Sequence, residues 1–192
     1  MKDPAKKGKL IIFSAPSGAG KTTLVKYLMS AMDNLVFSVS ACSRKKRPGE
    51  VDGKDYYFMT ADEFKEKIKN REFLEWEEVY KNHFYGTLRK EVERIRNSGR
   101  HVVFDVDVKG GLNIKKIFGD EALAIFVKPP SVGTLKERLT QRATDDNREI
   151  AARVAKAEKE LSFADRFDVI IVNDDLEKAK RETLKTVERF LQ

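Results

Sequence analysis

Residues 15–23 read "APSGAGKTT". The phosphate-cradling loop of nucleotide-binding proteins follows G-x-x-x-x-G-K-[ST], and this stretch matches everywhere but the first position, where Ala15 replaces glycine. Such a loop needs a cage of backbone N–H groups with little side-chain obstruction, which Gly18 and Gly20 supply. A helix opening directly after it aims its positive end at the bound anion. Lys21 then reaches the β- and γ-phosphates, and the Thr22 hydroxyl holds Mg²⁺. Alanine at position 15 matters only if that residue needs positive φ or its methyl meets the ligand. At the exit of a strand neither condition applies. The rival reading is a chance match in a glycine turn. The flanks argue against it, because an apolar run precedes the loop and a helical pattern follows it.

Working outward, "KLIIFS" (9–14) reads as a buried strand and residues 22–32 as a helix. "LVFSVSA" (35–41), "HVVFDV" (101–106), "ALAIFV" (122–127) and "DVIIV" (168–172) read as four more strands. Apolar, β-branched runs of this kind suit strands buried on both faces of a parallel sheet. Leu88, Val92 and Ile95 share a helical face that stops at "NSG". Ile150, Val154, Ala157 and Leu161 share another, and Leu176, Leu184, Val187 and Leu191 mark a closing helix. The sum is a doubly wound α/β domain.

Two segments break that rhythm. Residues 38–90 carry turn signals at "RPGE" and "VDGK", and "TADE" (60–63) is a capping box opening a helix through Phe64 and Ile68. This is too long for a simple crossover and reads as an inserted subdomain. Residues 129–166 start a helix at "PPS" and place two helices around the polar "ATDDN", the pattern of a hinged flap. The expected division is therefore core 1–37, inserted subdomain 38–90, core 91–128, flap 129–166 and core 167–192. Insertions at the carboxyl ends of parallel strands are where specificity usually sits.

The chain has 192 residues, 36% charged and 41% hydrophobic, with a net charge of +7. That sign favours an anionic partner without choosing among nucleotide, nucleic acid and acidic membrane. The single cysteine, Cys42, excludes an intramolecular disulfide. The apolar run after the basic "MKDPAKKGK" is too short for a signal peptide, and a cytoplasmic enzyme is expected.

A magnesium site needs a carboxylate near the loop. "HVVFDVD" (101–107) ends an apolar strand with Asp105 and Asp107, whose alternation puts both on one side. Asp105 is the expected metal-side carboxylate; for Asp107 a solvated turn residue fits equally. The chain has no convincing nucleophile–base pair, and His83 and His101 are far apart in sequence. Phosphoryl transfer to a phosphate acceptor accounts for this, since such an acceptor is already anionic and needs no general base. It demands guanidinium groups and a metal to hold two polyanions. Arg44 and Arg47 flank "KK" before the "PGE" turn, Arg138 and Arg142 stand four apart on a helix, and Arg153 lies on the next helix. Any one of these alone would read as solvated surface.

Several motifs in order carry a resemblance: "SAPSGAGKTT", "SACSRKKRPGEVDGKDYYF", "EFLEW", "YGT", "DVDVKGG", "LKERLTQR" and "VNDDLEKA". The chain resembles the bacterial-type guanylate kinases from about Lys9 onward. The resemblance implies a P-loop nucleoside-monophosphate-kinase-like three-layer fold: a parallel sheet core, an inserted monophosphate-binding subdomain and a helical lid. It implies transfer of the γ-phosphate of ATP to GMP, and to dGMP, with Mg²⁺ as cofactor and neither nucleic acid nor membrane as partner.

Carried onto this sequence, the resemblance assigns ATP binding to Ala15, Pro16, Ser17, Gly18, Ala19, Gly20, Lys21, Thr22 and Thr23, with Arg142 and Asn173. Ser40, Arg44, Arg47, Tyr56 and Tyr85 would bind the GMP phosphate or line its pocket. Glu75, Ser40 and Thr87 would face the base, with Gly86, Asp105 and Asp107 completing the GMP site. Lys21, Arg44, Arg138, Arg142 and Arg153 would carry catalysis, and Thr22 and Asp105 would hold the metal. Guanine presents N1–H and N2–H donors side by side, which one carboxylate accepts together; pattern alone does not separate Glu75 from Glu72, Glu77 or Glu78. For Asn173 a contact to the adenine edge and a plain loop residue are both open. The chain departs from the family at Ala15, Cys42, Lys109 and Ala143, and "YKNHF" (80–84) runs slightly long. Two rivals share the fold: a kinase acting on a ribose bisphosphate, and a non-catalytic interaction module. An intact Glu75 and Thr87 disfavour the first, and an intact Lys21 and Thr22 the second.

Overall fold

The computed structural model describes residues 7–141 and 147–192. In chain order its strands and helices are β1 (Leu10–Ser14), α1 (Lys21–Ala31), β2 (Leu35–Phe37), β3 (Ala41–Cys42), β4 (Tyr57–Phe58), α2 (Ala61–Lys69), β5 (Phe73–Tyr80), β6 (His83–Leu88), α3 (Arg89–Asn97), β7 (His101–Asp105), α4 (Val108–Phe118), β8 (Ala122–Lys128), α5 (Val132–Gln141), α6 (Asn147–Leu161), β9 (Val169–Val172) and α7 (Leu176–Leu191). They fall into two compact units, one of residues 7–9 with 34–102 and the other of 10–33 with 103–192.

The second unit holds the parallel sheet, in the order β7-β1-β8-β9. All five residues of β1 are buried, and it pairs in register with β8 from Leu10↔Ala122 to Ser14↔Phe126. β8 pairs in turn with β9 from Ile125↔Val169. Covered on both faces, β1 and residues 122–127 of β8 read as unbroken apolar runs because no position there alternates toward water. α4 packs on β1 and β8. Its closest approach is at Gly111, where a Cβ would sit 2.5 Å from Ser14 Oγ and 3.2 Å from Ile12 Cγ2. Val108, Ala124, Phe126, Ala164 and Phe167 fill the space beneath, with Leu161 packed against them. α5 and α6 meet through Leu135, Val154 and Ala157, the last two from the face expected in the 150–161 helix. α7 buries Ala179, Thr183, Thr186 and Val187 but leaves Leu176 exposed.

The first unit is built on a four-stranded sheet, β4-β3-β6-β5. β3 runs parallel to β4 and antiparallel to β6, and β5–β6 is a hairpin closed by Lys81 and Asn82. Asn82 takes φ +61, and its N–H donates to Glu78 Oε1 at 2.8 Å. Within "YKNHF" and just before it, the register shifts between Glu78 and Tyr80, and the hairpin ends on a Tyr80↔His83 pair. α2 starts at the expected capping box, Thr60 Oγ1 accepting from Glu63 N while Glu63 accepts from Thr60 N. It lays Phe64 on Phe73 and Phe84, with ring centroids 4.2 and 5.4 Å apart. Such aromatic contacts add to the area term of burial.

One expected element divides. The run 35–41 is not one strand: β2 ends at Phe37 and β3 begins at Ala41. β2 lies beside the opening of β7, where His101 N donates to Asn34 O at 3.0 Å, whereas β3 belongs to the second sheet. Residues 38–40 carry the chain from one ladder to the other, so apolar content alone could not reveal the break. The unit is also larger than the expected insertion, since it takes in β2, α3 and the start of β7.

Candidate functional site

The loop of residues 15–20 leaves β1 and turns into α1 through two left-handed glycines, Gly18 at φ +88 and Gly20 at φ +93. Ala15 is buried and is not among the positive-φ residues, so its Cβ costs the loop nothing. No side chain caps α1, and its first turn holds no acidic residue, which keeps its N–H groups and positive end for an anion.

Around the loop lies a cavity of about 360 Å³, lined by residues 15–18 and 20–23, by Asp105, Val106 and Asp107 at the exit of β7, and by Arg153, Lys156 and Glu160 of α6. Lys21 Nζ donates to Asp105 Oδ1 and, at 3.2 Å, to Val106 O. Thr22 Oγ1 lies 3.4 Å from the other Asp105 oxygen. The Lys21–Asp105 ion pair and the expected metal pair Thr22–Asp105 therefore share one carboxylate. Asp107 is not on the strand, which ends at Asp105. It caps α4, accepting from Gly110 N at 2.6 Å, and still lines the cavity. Glu160, which sequence reasoning did not single out, faces this cavity 3.9 Å from Lys156. Burial pushes its carboxyl above the usual range, against the pull of Lys156.

A second cavity, of about 490 Å³, borders the same loop and is lined by Gly18, Gly20, Thr23, Arg138, Asn173, Asp174 and Leu176. Leu176, exposed where a core position was expected, forms an apolar part of its wall. Asn173 turns its side chain inward: Nδ2 donates to Ala19 O at 2.8 Å. Arg138 Nη2 donates to Asn173 O at 3.2 Å. Arg142 and Ala143 lie outside the described residues.

Among the described residues no cluster of three or more His, Cys, Asp or Glu could hold a metal by itself. One hydroxyl and one carboxylate nonetheless fit Mg²⁺, a hard ion that keeps most of its shell for phosphate oxygens and water.

In the first unit, the other group of expected residues is organised around Arg44. Its Nη1 and Nη2 donate to the two oxygens of Glu50 at 2.7 and 2.5 Å, and its Nε to Tyr85 Oη at 3.2 Å. The guanidinium carbon stands 5.1 Å from the Tyr56 ring centroid and 5.6 Å from that of Phe58. Glu50 also accepts from Arg47 N at 2.8 Å, which fixes the "RPGE" turn. Hydrogen bonding to Arg44 drops the Glu50 carboxyl to about 2 and holds the guanidinium well above its ordinary value. Burial raises the Tyr56 phenol, with Tyr85 adding to it. Arg47 itself is exposed. Glu50 was missed from sequence; its only signal was its place three residues after Arg47 in a turn.

The four glutamates that pattern could not separate are distinct in space. Glu72 pairs with Lys67, and Glu78 caps the hairpin turn. Glu75 sits opposite Thr87 in the β5–β6 register and accepts its hydroxyl at 2.6 Å, Thr87 being 1% exposed. Glu77 pairs in register with Tyr85. Gly86 has no room for a side chain, since a Cβ there would lie 2.7 Å from Glu75 O. Ser40 accepts Tyr57 N through its carbonyl at 2.9 Å. Cys42 is fully buried, and burial pushes its thiol up.

A parallel α/β sheet whose first strand feeds a glycine loop, a lysine and a hydroxyl at a helix N-terminus defines a P-loop nucleotide-binding protein. The family model described as guanylate kinase matches residues 7–192. The guanylate kinase of Bacteroides thetaiotaomicron is 56% identical over 184 residues, covering 96% of this chain and 90% of that protein. That of Porphyromonas gingivalis is 49% identical, covering 95% of this chain and 98% of its own length. A crystal structure of guanylate kinase from Anaplasma phagocytophilum superposes with a TM-score of 0.76 at 28% identity, over 97% of this chain and 88% of that one. The chain belongs to the guanylate kinase family.

Proposed function

We propose that the chain transfers the γ-phosphate of ATP to GMP, giving ADP and GDP, and that it uses the residues described above to do so. The observation that carries the acceptor's identity is the Glu75–Thr87 pair. A carboxylate already accepting one buried hydroxyl retains lone pairs for two adjacent donors, which guanine offers and adenine does not. AMP in that position would leave Glu75 facing an acceptor, a loss worth roughly 10⁴-fold in discrimination. A ribose bisphosphate has no base, so it would make no use of the pair.

Arg44, Arg47, Tyr56 and Tyr85 receive the acceptor's phosphate. Arg44 arrives oriented by Glu50, so little ordering is left for binding to accomplish. The loop amides and Lys21 hold the donor's phosphates, Arg138 and Arg153 add positive charge beside them, and the cavity lined by Leu176 receives the adenine. Arg142 is proposed to join them. Thr22 and Asp105 would hold Mg²⁺, which when bound neutralises charge on the phosphate oxygens. No general base is required, because the acceptor oxygen carries its own negative charge at neutral pH.

A coupled assay of ADP formation with GMP, dGMP, AMP, UMP and ribose bisphosphate tests this reading. Turnover is expected with GMP and dGMP. Equal rates with AMP would sink the assignment of the base pocket.

A further inference from the structure

α6 turns one stripe of side chains toward the phosphate cavity: Arg153, Lys156 and Glu160, spaced three and four residues apart beside the apolar face of Val154 and Ala157. The first two bring positive charge to a place for phosphates, and Glu160 brings negative charge. Asp105 and Asp107 also line this cavity, within the same unit, and both are engaged. Asp105 meets Lys21 and Thr22, and Asp107 caps α4 through Gly110 N. Glu160 has no such duty. Among the described residues it is paired with Lys156, whose Nζ is 3.9 Å away and whose side chain is 68% exposed against 17% for Glu160. So long a contact to so exposed an ammonium contributes little. After burial and Lys156, the charges that act on its carboxyl are Asp107, which pushes it up, and Lys21, which pulls it down. Its own charge is therefore felt at the start of α1 and at the cap of α4, on the cavity's other walls.

A carboxylate in that position repels any phosphate brought to the loop, and the repulsion grows with the charge of the ligand. Free ATP carries about four negative charges at neutral pH and its Mg²⁺ complex about two, so the two forms are not repelled alike. Resting on the proposed transfer reaction, we propose that Glu160 is a specificity-determining residue: it sets the phosphate loop against metal-free polyphosphate and favours the donor that arrives with its Mg²⁺. Lys21 and the loop amides attract both forms. Glu160 offsets more of that attraction for the form without the metal, which keeps the cavity from filling with a donor whose phosphate charge is not neutralised for transfer. Because the side chain is mostly covered, salt screens it less than it screens a surface charge.

The test is calorimetric titration of the full chain with ATP, without acceptor, once in excess Mg²⁺ and once in EDTA at matched low ionic strength. Glu160→Gln keeps the shape and removes the charge. The variant is expected to bind metal-free ATP about tenfold more tightly than wild type, and the Mg²⁺ complex at most about threefold more tightly. Glu160→Ala should behave in the same way, which guards against a folding defect particular to one variant. Glu158→Gln removes a charge from the same helix outside the cavity and should leave the ratio of the two affinities unchanged. Equal gains for both forms of ATP in Glu160→Gln, or the same gain from Glu158→Gln, would reduce the effect to net charge and overturn the inference. So would a loss of affinity confined to the Mg²⁺ complex, which would make Glu160 an acceptor for metal-bound water. Wild type that bound ATP in neither form would break the transfer reading itself. Wild type that bound both, with an unaltered ratio in the Glu160 variants, would overturn this inference alone.

Discussion

The phosphate loop and the Arg44 pocket both answer to phosphate, yet they are made from different materials. The loop is main chain: two left-handed glycines, an uncapped helix end and one lysine. The pocket is side chain: a guanidinium gripped by Glu50, steadied by Tyr85 and set against two aromatic rings. A main-chain cradle tolerates changes in side chain wherever φ is negative, and it fails where the conformation itself is at stake. A side-chain cradle behaves in the opposite way, because each group is held by another and loss of one displaces its neighbours. The same contrast holds for specificity, which amides cannot supply to a base and which the Glu75–Thr87 pair can.

The sharpest break in this comparison is at Lys21, the one side chain on which the main-chain cradle depends. Lys21→Ala should lower kcat by about 10³-fold or more, since a preorganised charge at the transferring group is lost. Circular dichroism and melting temperature should stay close to wild type. Retained turnover would remove the loop from the mechanism.

Next in size is Glu75→Gln. The amide keeps one acceptor oxygen for Thr87 but turns an NH₂ toward the donors of guanine. We expect kcat/KM for GMP to fall about 100-fold while KM for ATP moves by less than about twofold. An unchanged preference for GMP over AMP would show that the base is read elsewhere.

A smaller effect is expected in acid, at Glu50. Its carboxyl sits at about 2 in the folded chain against an ordinary 4.5, held down first by the Arg44 hydrogen bonds and then by Arg47 N–H. A depressed carboxylate contributes its full stabilisation above 4.5 and loses it as pH falls toward 2. Wild type should therefore lose melting temperature across that window more steeply than Glu50→Gln, and the two curves should converge at its acid end. Parallel curves would mean that the Arg44–Glu50 pair does not persist in solution.

Legibility in the sequence follows the same line between main chain and side chain. The strand, loop and helix from 10 to 31 are local, with each signal adjacent to the next, and they could be read directly. So could the Thr60–Glu63 capping box, whose two partners are three residues apart. What could not be read depends on partners distant in sequence. The division of 35–41 follows from β3 pairing with β4 and β6. Asn173 turns inward because Ala19, 154 residues away, offers a carbonyl. The four glutamates of 72–78 separate only when the register sets Thr87 opposite Glu75. α4 was obscured for a local reason: Gly110 and Gly111 lower its helix propensity, and Gly111 is present because the helix lies so close to β1 there.

The smallest predicted effect bears on the residue that departs from the loop pattern. If the cradle is main chain, glycine at position 15 is needed only for a conformation that position does not adopt, and Ala15 lies outside the positive-φ set. Ala15→Gly should then leave kcat and both KM values within about twofold of wild type. It should also destabilise the fold by about 0.4–1 kcal/mol, because glycine gives the unfolded chain more freedom to lose on folding. A gain in ATP affinity on restoring glycine would mean that the Ala15 methyl does meet the phosphates. The main-chain cradle would then be less indifferent to its side chains than its backbone angles imply.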